Sequence, residues 1–543
     1  FNSVSYTYEH LLADLHGRGF CGFRKITARD LANDLRTDTS YHQDHPFKAR
    51  VEKIETRINS SGILLKQELN TWSVKALAAG TYYPYLSHRV TSEFELDGSP
   101  IKSTIIDNIS DDWGNLTQIT TDHGQGYTRQ VNNVFNVDPS KWFVGQLLSS
   151  SETATSPTYV PITRTTEYGY DPDTGLVSSE TIEPNNNPLR VERTFVRDDF
   201  GNVTETVVTG PSFNTRSSFT VYDTRGQFPI ESRNSIGHSE FRTFDVRHGK
   251  VLTHTGPNGL VTEYQYDAFG TKIHELLPDG TERRWLRYRA DDPYHPANAV
   301  YYVRVDGSQQ TPELVFFNVL GADVRRETRS FNSLPIYRDQ IYNNLGQLWK
   351  RSRLYHPGNT VYWESFNYDL LGRVLTHTEA HSAVTNFNYS GLSRTSVNDA
   401  NQSNTIVSNV LGKTISVSDA LGNTMVQEYD GFGNLTLVRD PDQNETHIRY
   451  DIRGHRIAID DPDLGLRQFE YDALGNVVRE TDAKGQIVIN HYDQLGRMIR
   501  RDEPEGITAW QFDIGPLAIG RMSKVSNGEN FICLLYTSPS PRD

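Results

Sequence analysis

The sequence predicts an all-β protein assembled from tandem β-hairpins, and three observations carry that prediction. The first is a 21-residue step linking Tyr429-Asp430-Gly431-Phe432-Gly433, Tyr450-Asp451-Ile452-Arg453-Gly454, Tyr471-Asp472-Ala473-Leu474-Gly475 and Tyr492-Asp493-Gln494-Leu495-Gly496. Internal periodicity of this kind dictates an architecture before any other feature is read. The second is alternation: Phe469 and Tyr471 stand against Gln468 and Glu470, the period of a strand. The third is composition, with Tyr 28, Phe 24 and Gly 40 against Met 3 and few Ala/Leu/Glu/Lys runs.

The motif itself is turn chemistry. Asp-x-x-Gly fits the four corners of a type I turn: Asp accepts a main-chain N–H, and Gly tolerates the positive φ of a bulged hairpin connection. A second turn falls halfway through the unit, as in Asp482-Ala483-Lys484-Gly485. Each unit then holds two strands of about seven residues, or ~23 Å at ~3.3 Å per residue. One hairpin cannot bury its own apolar face, so the units must stack side by side into a continuous strip.

Taken in order, residues 1–63 contain Gly17-Arg18-Gly19-Phe20-Cys21-Gly22-Phe23 and Tyr41-His42-Gln43-Asp44-His45-Pro46-Phe47. The first string matches a dinucleotide fingerprint in form only, since no apolar strand precedes it and no helical pattern follows. It reads as a turn between strands. His42, Asp44 and His45 could be drawn as metal ligands, but strand neighbours alternate direction and a third ligand is not evident. Residues 64–160 form a degenerate β region, with a turn at Asp111-Asp112-Trp113-Gly114-Asn115. Its end, 136–160, is expected to be an exposed loop or joint because of the run Ser149 to Pro157.

Residues 161–532 carry the repeats, with steps of 22 to 27 residues at first. Clean copies stand at Tyr266-Asp267 with Gly270 and at Tyr368-Asp369 with Gly372; the register is strictly 21 from Asn409 to Asp493. Asn replaces Asp at Asn318, Asn343 and Asn409. Asn offers the turn the same hydrogen bond from its side chain, so the role does not depend on charge. The tail 533–543 breaks the pattern and resembles the conceptual translation of a sequencing-library adapter. It is set aside from fold reasoning, and the sequence is read as a fragment at both ends.

Tyr-x-Tyr-Asp-x-x-Gly-Asn/Arg resembles the YD, or Rhs, repeat. Members of that family include bacterial Rhs and wall-associated polymorphic toxins, the B and C components of insecticidal Tc toxin complexes, and animal teneurins. Residues 1–63 are similar to the segment leading into the shell of Tc-toxin B components. The resemblance implies a strip spiralling into a large hollow shell that encloses a C-terminal effector polypeptide, often a toxin. It also implies an aspartyl autoprotease in a terminal region that this sequence does not reach. Asp171-Pro172-Asp173-Thr174-Gly175 is read as an ordinary turn, and no catalytic role is transferred to it.

Composition bounds the function further. A net charge of −14 and a pI near 5.7 argue against a nucleic-acid backbone as partner. No apolar run approaches the ~18 residues of a membrane span. Two cysteines exclude a disulfide framework and a Cys-rich zinc site. A glycosidase would need a unique pair of acids, whereas these Asp residues recur as a structural device does. Aromatic stripes could stack on sugars, but their strand spacing favours packing.

The expectation is therefore a non-enzymatic shell segment of a secreted bacterial toxin, without cofactor or metal. Its partners would be an enclosed effector and, in toxin complexes, other subunits. The alternative is a cell-surface adhesion module of the teneurin or wall-associated kind. On the turn reading, Gly475→Val costs about 1–3 kcal/mol through strain at positive φ. Asp472→Asn is nearly silent in the same denaturation experiment.

Overall fold

Asp-x-x-Gly turns recur throughout the computed structural model, which describes residues 4–534 except 16, 18, 77–80, 294, 309 and 529. Residues 535–543, most of the adapter-like tail, lie outside the described residues. The described chain is all-β, with 43 strands and a 3-10 turn at Asn187–Leu189. Strands pair antiparallel with their sequence neighbours. One cross-strand row, for example, runs Glu470, Arg479, Ile489, Asp502. In each clean repeat the register shifts by one residue just before the Tyr, as between Glu470 and Tyr471 or His491 and Tyr492. That shift is the bulge which a positive-φ Gly at the end of the turn produces.

Contacts divide the chain into two compact units. The first comprises Phe1–Glu167, Tyr342–Lys350 and Glu364–Leu464. It opens with long strands such as Val4–Asp14, Leu64–Ala76 and Tyr82–Phe94, and closes with short ones such as Thr414–Ser418 and Thr424–Tyr429. Gly17 lies in the turn before strand Gly19–Asp30, while Gly19 and Gly22 belong to that strand at φ +66° and +87°. His42 Nδ1 stands 3.6 Å from Asp44 Oδ1, and His45 sits edge-on to Tyr82.

The expected loop over 136–160 is in large part a strand. Phe143–Thr155 pairs with Tyr127–Asp138 on one side and, through Ser149–Ala154, with residues 162–167 on the other. The reason is that Ser and Thr hydroxyls pair across the ladder, Ser151 with Thr165 at 3.0 Å and Thr153 with Thr163 at 2.8 Å. Such pairs stabilise a sheet without the apolar alternation on which the sequence reading relied.

The second unit comprises Tyr168–Ile341, Arg351–Trp363 and Gly465–Asp543. Asp171 is an ordinary turn residue there, accepting the Asp173 and Thr174 N–H groups. The Arg351–Trp363 stretch of this unit is fastened by a bridge between Tyr337 and Tyr355. Asp339 accepts both a bidentate Arg325 contact, at 2.6 and 2.8 Å, and the Tyr355 hydroxyl at 2.6 Å. Burial, together with that hydrogen bond to a carboxylate, pushes the Tyr355 hydroxyl up to about 12.

Neither unit has a thick core. Fully buried apolar side chains are dispersed, among them Leu65, Ala154 and Leu437 in the first unit and Val191, Phe316 and Ala473 in the second. Stability in such a strip comes from nearest-neighbour pairing plus whatever holds separate stretches side by side.

Candidate functional site: the repeat turns and their seam

The six sequence-predicted turns share one geometry. The Oδ1 atoms of Asp267, Asp369, Asp430, Asp451, Asp472 and Asp493 each accept two main-chain N–H groups, two and four residues on, all at 2.9 Å. Gly270, Gly372, Gly433, Gly454, Gly475 and Gly496 all lie at positive φ, between +76° and +89°. The turns are not brought together at one point; each serves its own hairpin. Tyr266, Tyr368 and Tyr492 donate their hydroxyls to the Val251, Leu348 and Val477 carbonyls, at 2.7 to 2.9 Å. Tyr429 donates instead to Gln427 Oε1, and burial raises the hydroxyls of Tyr429 and Tyr450 above their ordinary value. Tyr471 is likewise half-buried.

The residue after the Gly completes the device, and sequence reasoning did not see why it is Asn or Arg. It returns a donor to the second carboxylate oxygen: Asn434 and Asn476 at 2.8 Å, Arg373 at 2.7 Å, Arg497 at 2.8 Å, His455 at 2.9 Å. Where Asn343 and Asn398 begin the turn the polarity reverses. Asn343 donates to Gln347 Oε1 at 2.8 Å, and Asn398 to Gln402 Oε1 at 3.0 Å. In these turns the two positions form a donor–acceptor pair.

This pairing refines the effect of removing the charge. In Asp472→Asn the Asn476 amide can rotate to present its oxygen, so the loss stays small. In Asp493→Asn an NH₂ group faces the Arg497 guanidinium, and a loss of about 1–2 kcal/mol is expected. Urea denaturation of the two variants checks this; equal losses would overturn it.

The turn carboxylates also set an acid limit. The Arg247 guanidinium beside Asp245 lowers its carboxyl to about 2 from 3.8. Main-chain N–H groups hold Asp267 below its ordinary value, while the side-chain amides of Asn423 and Asn444 do the same for Asp419 and Asp440. A depressed folded-state value gives stability that is present above 3.8 and lost as pH falls toward 2. Thermal unfolding followed by circular dichroism should show the midpoint falling across that window and flat from pH ~5 to ~7.

Within each unit a later row of turns lies against an earlier stretch of strip, and contacts recur at one position, the residue after the turn Asp or Asn. In the first unit Val410 N–H donates to Gln125 Oε1 at 3.2 Å, and Arg164 Nε donates to the Ile452 carbonyl at 2.6 Å. Gly431 faces the Ala154 main chain so closely that a Cβ would stand 2.5 Å from its carbonyl. In the second unit Ala473 N–H donates to Ser212 Oγ at 2.8 Å, and Ser235 Oγ donates to the Gln494 carbonyl at 3.1 Å. Val410, Gly431 and Ile452 in the first unit, and Ala473 and Gln494 in the second, follow the 21-residue step and form a seam within each unit. Ala154 and Ala473 are 1% and 0% exposed. Sequence reading missed the position because five different residue types occupy it. The available signal was Gly431, a second glycine in a turn that needs only one.

Two further ties reinforce the seams. Glu95 accepts Arg373 at 2.8 and 3.1 Å and Gly391 N–H at 2.9 Å in the first unit. In the second, Asn258 pairs with Ile519 through both amide atoms at 2.9 Å. A cleft of about 550 Å³ beside the second seam is lined by Arg216, Asp472, Asn490 and Asp493. The two carboxylates there are already occupied by their own turns. Among the described residues no group of three or more His, Cys, Asp or Glu is placed to hold a metal. No helix among them is long and apolar enough to cross a membrane.

Hairpins fixed in one register and sewn row to row define a β-repeat wall. Residues 311–512 match the family model for the teneurin YD-shell, and residues 244–282 that for the RHS repeat. Those two stretches thus carry the YD/Rhs-repeat signature, and the chain's fold is similar to that of the Tc-toxin shell. Its fold matches the crystal structure of TcdB2-TccC3 with a TM-score of 0.73 at 11% identity, covering 96% of this chain and 39% of that one. TcdB2-TccC3-Cdc42 gives 0.75 at 10% identity, and the Photorhabdus luminescens Tc holotoxin pore 0.72 at 10%, each over 96% of this chain and 41% of the other. The chain thus spans about two fifths of the length of those it matches. No curated protein sequence matches it.

Proposed function

We propose that the chain is a wall segment of an encapsulating shell, carried by a secreted bacterial toxin of the Rhs/Tc type, that sequesters a polypeptide effector. The seam is the observation that carries this reading. Turns whose main-chain atoms are tied to side chains of another stretch join the wall row to row, as a container requires and a single ribbon does not provide. The likeness to TcdB2-TccC3 supports an enclosed effector and further complex subunits as partners. On this reading the segment itself catalyses nothing, because its recurrent carboxylates are committed to turns, and it acts outside the producing cell or on its surface.

The test is protease protection. The full reading frame is expressed with its downstream polypeptide, and that polypeptide should survive protease until the shell is denatured. Digestion at the rate of the free polypeptide would sink the proposal. The match of residues 311–512 to the teneurin YD-shell favours a second reading, a cell-surface contact module. That reading expects saturable binding of the protein to cells and no protection.

A further inference from the structure

The sequence holds Asn-Gly at two places, Asn258-Gly259 and Asn527-Gly528. Asn-Gly is the dipeptide best suited to spontaneous ring closure, because a glycine nitrogen carries no neighbouring Cβ to obstruct its approach. The two sites differ sharply. Asn258 is clamped: its Nδ2 donates to the Ile519 carbonyl, and its Oδ1 accepts the Ile519 N–H, both at 2.9 Å. The Gly259 N–H, which would have to attack, is held by the Gly256 carbonyl at 2.9 Å. Asn527 ends the strand Met522–Asn527 and is exposed, with Gly528 in the turn that follows.

We infer that Asn258 is a modification site gated by the seam, protected from deamidation while the seam is closed and converted once it opens. The Gly259 nitrogen attacks Asn258 Cγ, forming a new bond between them. The bond from Asn258 Cγ to its own Nδ2 breaks, and ammonia leaves with the proton from the Gly259 nitrogen. Water then opens the cyclic imide at either carbonyl, to aspartate or to isoaspartate. Either product puts a carboxylate oxygen where an N–H donor faced the Ile519 carbonyl, so two acceptors oppose each other and the clamp cannot re-form. Isoaspartate also lengthens the backbone within the turn. Opening of this seam is thereby recorded covalently and made irreversible.

The experiment is peptide mapping by mass spectrometry of the whole protein, aged in mildly alkaline buffer at a temperature well below unfolding. Asn527 should convert first. Asn258 should lag by at least about tenfold, since its reaction requires a local opening. Ile519→Pro, which deletes the donor to Asn258 Oδ1, should bring the Asn258 rate up toward that of Asn527. Equal rates at the two sites in the unaltered protein would overturn the inference. So would an unchanged Asn258 rate in Ile519→Pro. Urea just below the unfolding transition is a second way to open the seam, and it should accelerate Asn258 more than Asn527. Equal acceleration would count against gating.

Discussion

Gly431→Ala is expected to destabilise the protein by on the order of 3 kcal/mol, an unusual cost for adding one methyl group. The added Cβ would lie 2.5 Å from both the carbon and the oxygen of the Ala154 carbonyl, and 2.7 Å from the Thr155 nitrogen. All three are main-chain atoms inside a paired strand, so no rotamer change relieves the clash. Gly431 does not lie at positive φ, which separates crowding from backbone strain. Two comparisons sharpen the test by urea denaturation. Ala154→Gly should fail to rescue, because the clash is with the backbone. Gly256→Ala, whose nearest neighbour would be 3.9 Å away, should be neutral or slightly stabilising. A Gly431→Ala midpoint equal to that of the unaltered protein would mean that the seam is not closed in solution.

Glu95→Ala should cost a similar ~3 kcal/mol for a different reason. Glu95 is 7% exposed and satisfies three donors, two from Arg373 and one from Gly391. Removing it leaves a half-buried guanidinium with Asp369 alone and an N–H without an acceptor. Glu95→Gln, which keeps an acceptor for Gly391 but no charge for Arg373, should lose about half as much. A double-mutant cycle with Arg373→Met separates the pair from the rest. A coupling below about 0.5 kcal/mol would show that the ion pair contributes little to holding the two stretches together.

What the sequence made legible and what it hid divide along physical lines. Asp472 and Gly475 announce their turn because a positive φ and an accepted N–H each demand a particular residue type. The step of 21 follows from counting. The strand Phe143–Thr155 was hidden because its Ser and Thr hydroxyls satisfy one another across the ladder, and polar residues on both faces imitate a loop. The partner of Asp472 Oδ2, Asn476, was visible in the motif, but its purpose needed the distance. The seam was least legible. Its requirement is set by whatever lies across from it: the Ala154 backbone for Gly431, Ser212 for Ala473, Arg164 for Ile452. A contact specified 261 to 288 residues away in sequence leaves no local pattern.

The unlike residues along the seam also solve an alignment problem. Hairpins this similar could slide past one another by a whole repeat and still pair every strand, since each step of 21 restores the same Tyr, Asp and Gly. The seam position breaks that degeneracy in the first unit. A slip of one repeat would bring Ile452 or Val410 to the place where only Gly431 clears the Ala154 carbonyl. It would also move the Ile452 carbonyl away from the Arg164 guanidinium. The wall therefore works as a keyed fit. Its repeats supply uniform strands, and its one irregular column decides which turn can stand opposite which stretch of strip.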